Sequence, residues 1–288
     1  MASLSFVDIL SDSWRLSLRR RQLWIGGAIL ALPILAQTYY LTDAPSQSSE
    51  LISYITTHFR EVSHFLIITF VCSLIGKSLL ILLLHRATSK KVTSSISRRT
   101  LRQAIVRGFL IELSLLLFIL LVGCVLALPL LMALMSLGTI PPVLHWLSLV
   151  VILPISLVVF ILREFIFFYF LLTPGIRFKS ALEASVALFQ RNTSLSVQFF
   201  LFFLWGALLF TFSLNLVMLG IVALSHALLP SMADTSMLVG SFVALAFYEI
   251  VRQTVWFQFF QKLATPQDPL ETTLPTILKK EIPEISGV

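Results

Sequence analysis

Residues 144–172 read LHWLSLVVILPISLVVFILREFIFFYFLL, and this stretch decides the fold class. Its only charged side chains are the adjacent Arg163 and Glu164. About 20 consecutive apolar residues are enough to cross the hydrocarbon core of a bilayer as a helix, in which every backbone group is paired internally. The stretch therefore predicts a membrane-spanning helix, with Pro154 as its kink site.

Five further stretches meet the same criterion: residues 22–41, 65–84, 109–137, 197–228 and 237–263. The whole chain of 288 residues is 57% hydrophobic and only 12% charged, with a mean hydropathy of +0.94. A soluble domain usually carries about 25% charged residues, so the composition excludes a soluble enzyme and a soluble nucleic-acid binder. We expect an all-α, polytopic membrane protein with six transmembrane helices.

The connections between these stretches carry strongly unequal numbers of Lys and Arg, which predicts the orientation. The N-terminal segment, the connections after the second and fourth spans and the C-terminal segment carry seventeen, whereas the opposite side carries only Arg60. Both termini are therefore predicted to be cytoplasmic. Basic residues before the first span resemble a signal peptide, but cleavage would contradict this alternation, so we expect the span to be retained.

The same basic residues account for the net charge of +7 without a nucleic acid. We expect them to form a cytoplasmic collar at the lipid headgroups, where each is worth about 1 kcal/mol against anionic lipid. The segment 86–107 lacks the interleaved aromatic residues of a nucleic-acid site. The collar comprises Arg19, Arg20, Arg21, Arg98, Arg99, Arg102, Arg107, Arg177, Lys179 and Arg191.

The layout repeats three times at intervals of about 86 residues, each unit having a basic cytoplasmic segment and two spans. The clearest match pairs six residues of 6–23 with residues 172 positions later, such as Phe6 with Phe178 and Ser13 with Ser185. Each returning span carries one cation, Lys77, Arg163 or Arg252. This pattern predicts three helical hairpins, each introduced by an interfacial amphipathic helix.

The first such helix has Val7, Leu10, Trp14 and Leu18 at helical spacing, which is typical of a helix lying on a bilayer. A docking or gating helix is the alternative. Ser5 is predicted to cap this helix and Ser180 the corresponding later one, which should end near Asn192. Residues 42–64 are predicted to contain a short surface helix, and residues 265–288, rich in proline and polar residues, a disordered cytoplasmic tail.

Six ionisable residues lie well inside the predicted spans: Lys77, Glu112, Arg163, Glu164, Glu249 and Arg252. Because unpaired charges are costly there, we expect either an ion-pair network that fixes the packing of the spans or a polar pocket for an ion, proton or headgroup. Glu249 and Arg252 can pair on one helix face. Arg163 and Glu164 are about 100° apart and should each need another helix, while Lys77 is long enough to snorkel to the interface.

No sequence pattern of catalysis or cofactor binding is present. The chain has no His-Glu-x-x-His motif and no Walker glycine loop, and His58 and His64 lack a third metal ligand. We predict no metal and no cofactor. The expected function is a non-enzymatic scaffold or subunit of a membrane complex, with a protein partner or a homo-oligomer; the alternative is a small transporter component with the charged pocket in its cytoplasmic half.

Residues 178–195, FKSALEASVALFQRNTSL, precede a span rich in Phe and Leu, and Ser13, Trp14 and Arg19 repeat part of this pattern. The pattern resembles that of uncharacterised bacterial six-span membrane proteins related to the membrane domain of glycerophosphodiester phosphodiesterases. The resemblance implies a six-span fold in the bacterial cytoplasmic (inner) membrane. It implies no activity and no catalytic residue.

Overall fold

Helices form nearly all of the chain that the computed structural model describes, which comprises residues 5–40, 48–88, 97–137, 142–173, 175–228 and 233–264. The predicted tail, 265–288, lies outside these residues. Within them there are nine helices and no strand. They are α1 (Phe6–Arg19), α2 (Leu23–Tyr40), α3 (Ser48–Thr57), α4 (Phe59–Thr88), α5 (Arg98–Leu137), α6 (Pro142–Leu172), α7 (Phe178–Arg191), α8 (Thr193–Leu228) and α9 (Ala233–Ala264).

Four helices are long and apolar enough to cross a membrane by length and composition. They are Phe59–Thr88, Ile152–Leu172, Thr193–Ile221 and Thr235–Ala264. A shorter apolar helix covers Leu23–Gln37, and the predicted segment 109–137 lies within the 40-residue helix α5. The prediction of an all-helical membrane protein is thus confirmed at the level of long apolar helices.

Helices α4, α6 and α9 form the centre of the bundle, because each of them contacts the other two and also several of the remaining helices. The remaining helices pack around them: α5 contacts α4 and α6, α8 contacts α9, and α2 lies between α4 and α9. The predicted returning spans, each with one cation, are therefore the three central helices.

Glycine allows α2 to approach both of its neighbours closely. A Cβ atom on Gly27 would lie 2.6 Å from the carbonyl oxygen of Ala246 in α9, and one on Gly76 would lie 3.1 Å from the carbonyl oxygen of Gly26. Such contacts between small residues bring helix backbones together and increase van der Waals packing in membranes.

Helices α1 and α7 are equivalent elements of the internal repeat. Both have 14 residues, and their bounds are offset by 172 residues at each end. The buried residues of α1 (Ile9, Ser13 and Ser17) and those of α7 (Ala181, Ser185 and Phe189) have the same offset. Helix α1 packs on α9 and α7 on α6, so each lies against a central helix.

The local predictions for these helices have mixed outcomes. The cap at Ser5 is confirmed, since its Oγ accepts a hydrogen bond from the Asp8 N–H at 3.3 Å, and α7 ends at Arg191 with Asn192 as its C-cap. The prediction that Ser180 caps α7 is wrong. The helix begins at Phe178, whose ring packs 5.7 Å from that of Phe170, and its N-cap, Arg177, makes no side-chain capping bond.

Two predicted segments are organised differently from the expectation. In the middle unit no separate interfacial helix lies within 97–137, because α5 runs without a break from Arg98 to Leu137. The short helix of the segment 42–64 ends at Thr57, and Phe59 starts α4. In α5 the apolar periodicity continues into the long helix without a residue that would stop it, whereas a single turn residue, His58, separates α3 from α4.

Candidate functional site

The structure brings the six predicted membrane charges into one cluster at the meeting point of α4, α5, α6 and α9. Its centre is the ion pair between Lys77 Nζ and Glu164 Oε1, which are 2.9 Å apart. The side chains of Lys77 and Glu164 are only 2% and 0% exposed. The Lys77 ammonium also lies 3.8 Å from the centre of the Phe167 ring, a cation–π contact. The expectation that Lys77 snorkels is therefore wrong.

Three cations surround the Glu164 carboxylate. Besides Lys77, Nη1 of Arg163 lies 3.8 Å and Nη1 of Arg252 4.0 Å from the same Oε1 atom. The three cations come from α4, α6 and α9, one from each central helix. Arg163 and Glu164 each have the predicted partner on another helix, Glu112 on α5 and Lys77 on α4 respectively. The long Arg163 side chain also reaches the carboxylate of its neighbour, which the angle between the two residues did not predict.

Two further carboxylates complete the cluster at its edges. Arg163 Nη2 donates to Glu112 Oε1 on α5, and Arg252 donates to Glu249 Oε2 from Nε at 2.9 Å and from Nη2 at 2.6 Å. These four side chains are 17–25% exposed, unlike the two central ones. The six formal charges sum to zero, so the cluster as a whole is neutral.

One atom at the centre has no partner of its own. Glu164 Oε2 is buried and makes no hydrogen bond within the described part of the chain, although Oε1 of the same carboxylate faces all three cations. An unsatisfied carboxylate oxygen is costly in a dry interior. The carboxylate therefore makes less than its full set of hydrogen bonds in this position.

An aromatic layer packs beside the cluster on α6 and α9. Phe165, Phe168, Trp256, Phe259 and Phe260 are all buried. The rings of Phe199, on α8, and Phe259 stack with 3.7 Å between their centres, and Phe6 of α1 contacts both. The sequence predicted packing or lipid-facing roles for these aromatics, and the structure assigns them to the core.

The predicted collar residues lie on the surface with one exception. Nine of them are exposed, namely Arg19, Arg20, Arg21, Arg98, Arg99, Arg102, Arg177, Lys179 and Arg191. Arg107 is half-buried and donates from Nη1 to the carbonyl oxygens of Phe170 at 2.8 Å and Thr173 at 3.2 Å. It therefore caps the last carbonyls of α6, where a cation also complements the helix dipole.

Sequence reasoning missed several polar groups near the charges. Gln253, next to Arg252, is fully buried, and neither of its amide atoms has a partner within the described residues. The same holds for Nε1 of Trp256, one turn further along α9. Glu249, Arg252, Gln253 and Trp256 follow the helical i, i+3, i+4, i+7 spacing, which is the signal that could have identified this stripe.

The cluster can hold α4, α5, α6 and α9 together through its ion pairs. The described residues include no group of three or more His, Cys, Asp or Glu that could hold a metal ion. Comparisons of the chain with protein-family models, with curated proteins and with solved structures find no match.

Proposed function

We propose that the chain is a six-span, multi-pass protein of the bacterial cytoplasmic membrane, built as three hairpins with both termini in the cytoplasm. Support comes from contacts that join the basic ends of the helices. Gln261 of α9 donates to Thr88 of α4 at 3.4 Å, and Arg107 of α5 contacts the end of α6. Bacterial origin rests on the resemblance of residues 178–195.

Within this membrane, the chain acts as a non-enzymatic scaffold or subunit of a membrane complex. The observation that carries this proposal is the neutral cluster, in which each of the six charged residues has an ion-pair partner and all three central helices are joined through Glu164. Such a cluster fixes the relative positions of the helices. A protein that binds partners needs this rigidity, because its binding surface is formed by side chains from several helices.

Helix α1 supplies a surface for lipid or a partner. Its buried face contains Ile9, Ser13 and Ser17, whereas the apolar side chains of Val7 and Leu18 are 65% and 54% exposed. In a helix lying at the membrane surface, these apolar side chains can contact the acyl chains while the exposed Arg19 contacts the anionic headgroups.

Native mass spectrometry of the protein, extracted gently from its own membrane, tests the scaffold proposal. We expect a stoichiometric protein partner or a homo-oligomer. A monomer that retains one defined small molecule, without any protein partner, would contradict it.

The partial exposure of Glu112, Arg163, Glu249 and Arg252 favours a second candidate, a small transporter component. Charged side chains deep in a span face the bundle interior or a hydrated path rather than acyl chains. Glu249→Gln separates the candidates: a transporter loses transport although the variant stays folded, whereas a scaffold keeps its assembly and loses only the modest stability of a partly exposed ion pair.

A further inference from the structure

We infer that Lys77, Arg163 and Arg252 form an oxyanion-binding site whose resident anion is the chain's own Glu164 carboxylate, and that a phosphate or carboxylate group from outside can take its place. The inference depends on neither candidate function, since a permanently bound phospholipid fits a scaffold and a carried anion fits a transporter.

The geometry of the three cations is that of an anion site. Their nitrogen atoms lie 2.9, 3.8 and 4.0 Å from one oxygen atom, and they approach it from three different helices. Guanidinium groups present several N–H donors in a planar fork that matches a carboxylate or phosphate, and the lysine adds a point charge. Two arginines and one lysine around a single oxygen therefore recognise oxyanions as a class.

The resident carboxylate fills this site incompletely. Only its Oε1 atom faces the cations, and Oε2 makes no hydrogen bond within the described residues although Glu164 is 0% exposed. A phosphate group carries more acceptor oxygens than a carboxylate and is a preferred partner of arginine. A phosphate group therefore offers the three cations more acceptor oxygens than the single Oε1 atom of Glu164 that they now surround.

The charge balance provides one position for such an anion when Glu164 no longer occupies it. Arg163 and Arg252 each have a second carboxylate, Glu112 and Glu249 respectively, whereas Lys77 pairs only with Glu164 among the described residues. Neutralising Glu164 therefore leaves one uncompensated positive charge, centred on Lys77. The four side chains at the edges of the cluster are the partly exposed ones, at 17–25%.

The test measures binding of inorganic phosphate to the full chain in phospholipid-free detergent micelles by titration calorimetry. Glu164→Gln should bind one phosphate per chain with a Kd at least ten-fold lower than that of the unmodified protein. Glu249→Gln is the matched control, because it changes the net charge equally but leaves the central carboxylate in place, and it should bind phosphate no more tightly than the unmodified protein.

A double variant distinguishes phosphate binding at the cluster from phosphate binding to the exposed arginines and lysines of the collar. Lys77→Met combined with Glu164→Gln restores neutrality and should lose at least ten-fold in affinity relative to Glu164→Gln alone. Phosphate binding to Glu164→Gln that is no tighter than to Glu249→Gln would overturn the inference. Equal affinity of Glu164→Gln and the double variant would also overturn it.

The variant Glu164→Gln could fail to fold without an anion. In that case we expect phosphate to restore a monodisperse species, whereas sodium chloride at equal ionic strength should not. Failure to recover with phosphate would contradict the inference. Diheptanoyl phosphatidylglycerol in place of phosphate distinguishes the sources. Tighter binding of this lipid assigns the site to a headgroup, and tighter binding of phosphate assigns it to a free anion.

Discussion

Lys77 and Glu164 are 87 positions apart in the chain, and their Nζ and Oε1 atoms meet at 2.9 Å between α4 and α6. Both side chains are almost completely buried. Taking two charges out of water is expensive, and removing one partner from such a pair leaves the other uncompensated. A single substitution in this pair should therefore destabilise the bundle strongly.

The edge of the cluster should be much less sensitive than its centre. We expect Glu249→Gln to lower the free energy of unfolding by about 1 kcal/mol, because the residue is 17% exposed and pairs within its own helix. Arg252 also keeps Glu164 as a partner. Unfolding in mixed micelles measures the change, and a loss as large as that of Lys77→Met would contradict this division into centre and edge.

Close packing between α2 and α9 gives a second prediction. Gly27→Ala should lower the free energy of unfolding by about 1–3 kcal/mol, the range for overpacking, because its Cβ would lie 2.6 Å from both the Ala246 carbonyl oxygen and Ile250 Cγ1. Gly206→Ala is the control, since nothing lies within 4 Å of its added Cβ. Equal effects of the two substitutions would show that α2 and α9 do not touch there.

The orientation of α1 can be tested with spin labels at Val7 and Asp12, in a background with Cys72 and Cys124 replaced by Ser. Both positions are exposed, but Val7 is on the apolar side. In lipid nanodiscs the Val7 label should collide more with oxygen than with a water-soluble nickel complex, and the Asp12 label should show the reverse. Equal water accessibility at the two positions would contradict an α1 that lies on the bilayer.

The proposed topology predicts which exposed arginines can be reached from outside the cell. In the same cysteine-free background, a membrane-impermeant maleimide should label Arg60→Cys in intact cells but label Arg99→Cys only after the membrane is opened. Both residues are exposed in the structure, so accessibility depends on the side of the membrane. Labelling of Arg99→Cys in intact cells would contradict the proposed orientation, in which both termini are cytoplasmic.

The sequence predicted the long helices and the residues of the charged cluster because both depend on hydropathy. A cation such as Lys77 within an apolar stretch is visible without any structure. The capping bond of Ser5 and the end of α7 at Asn192 were also predicted, since they depend on residues within one turn of each other.

The partners within the cluster could not be predicted, because they depend on how each helix is rotated and how closely it approaches its neighbours. The Cα–Cβ bonds of Arg163 and Glu164 point in different directions from the helix, yet the flexible arginine side chain reaches the carboxylate. Gly27 was missed because a glycine that faces α9 and one that faces lipid look alike in an apolar sequence. Gln253 was missed for the same reason, since its burial depends on the packing around α9.

A double-mutant cycle on Lys77 and Glu164, with the free energy of unfolding as its measure, tests the central claim most directly. We expect Lys77→Met and Glu164→Gln each to cost about 3–5 kcal/mol. In the double variant the two charges are removed together. Its loss of unfolding free energy should be about 2–3 kcal/mol smaller than the sum of the two single losses. Losses that add to within about 0.5 kcal/mol would contradict the claim that this pair joins the central helices.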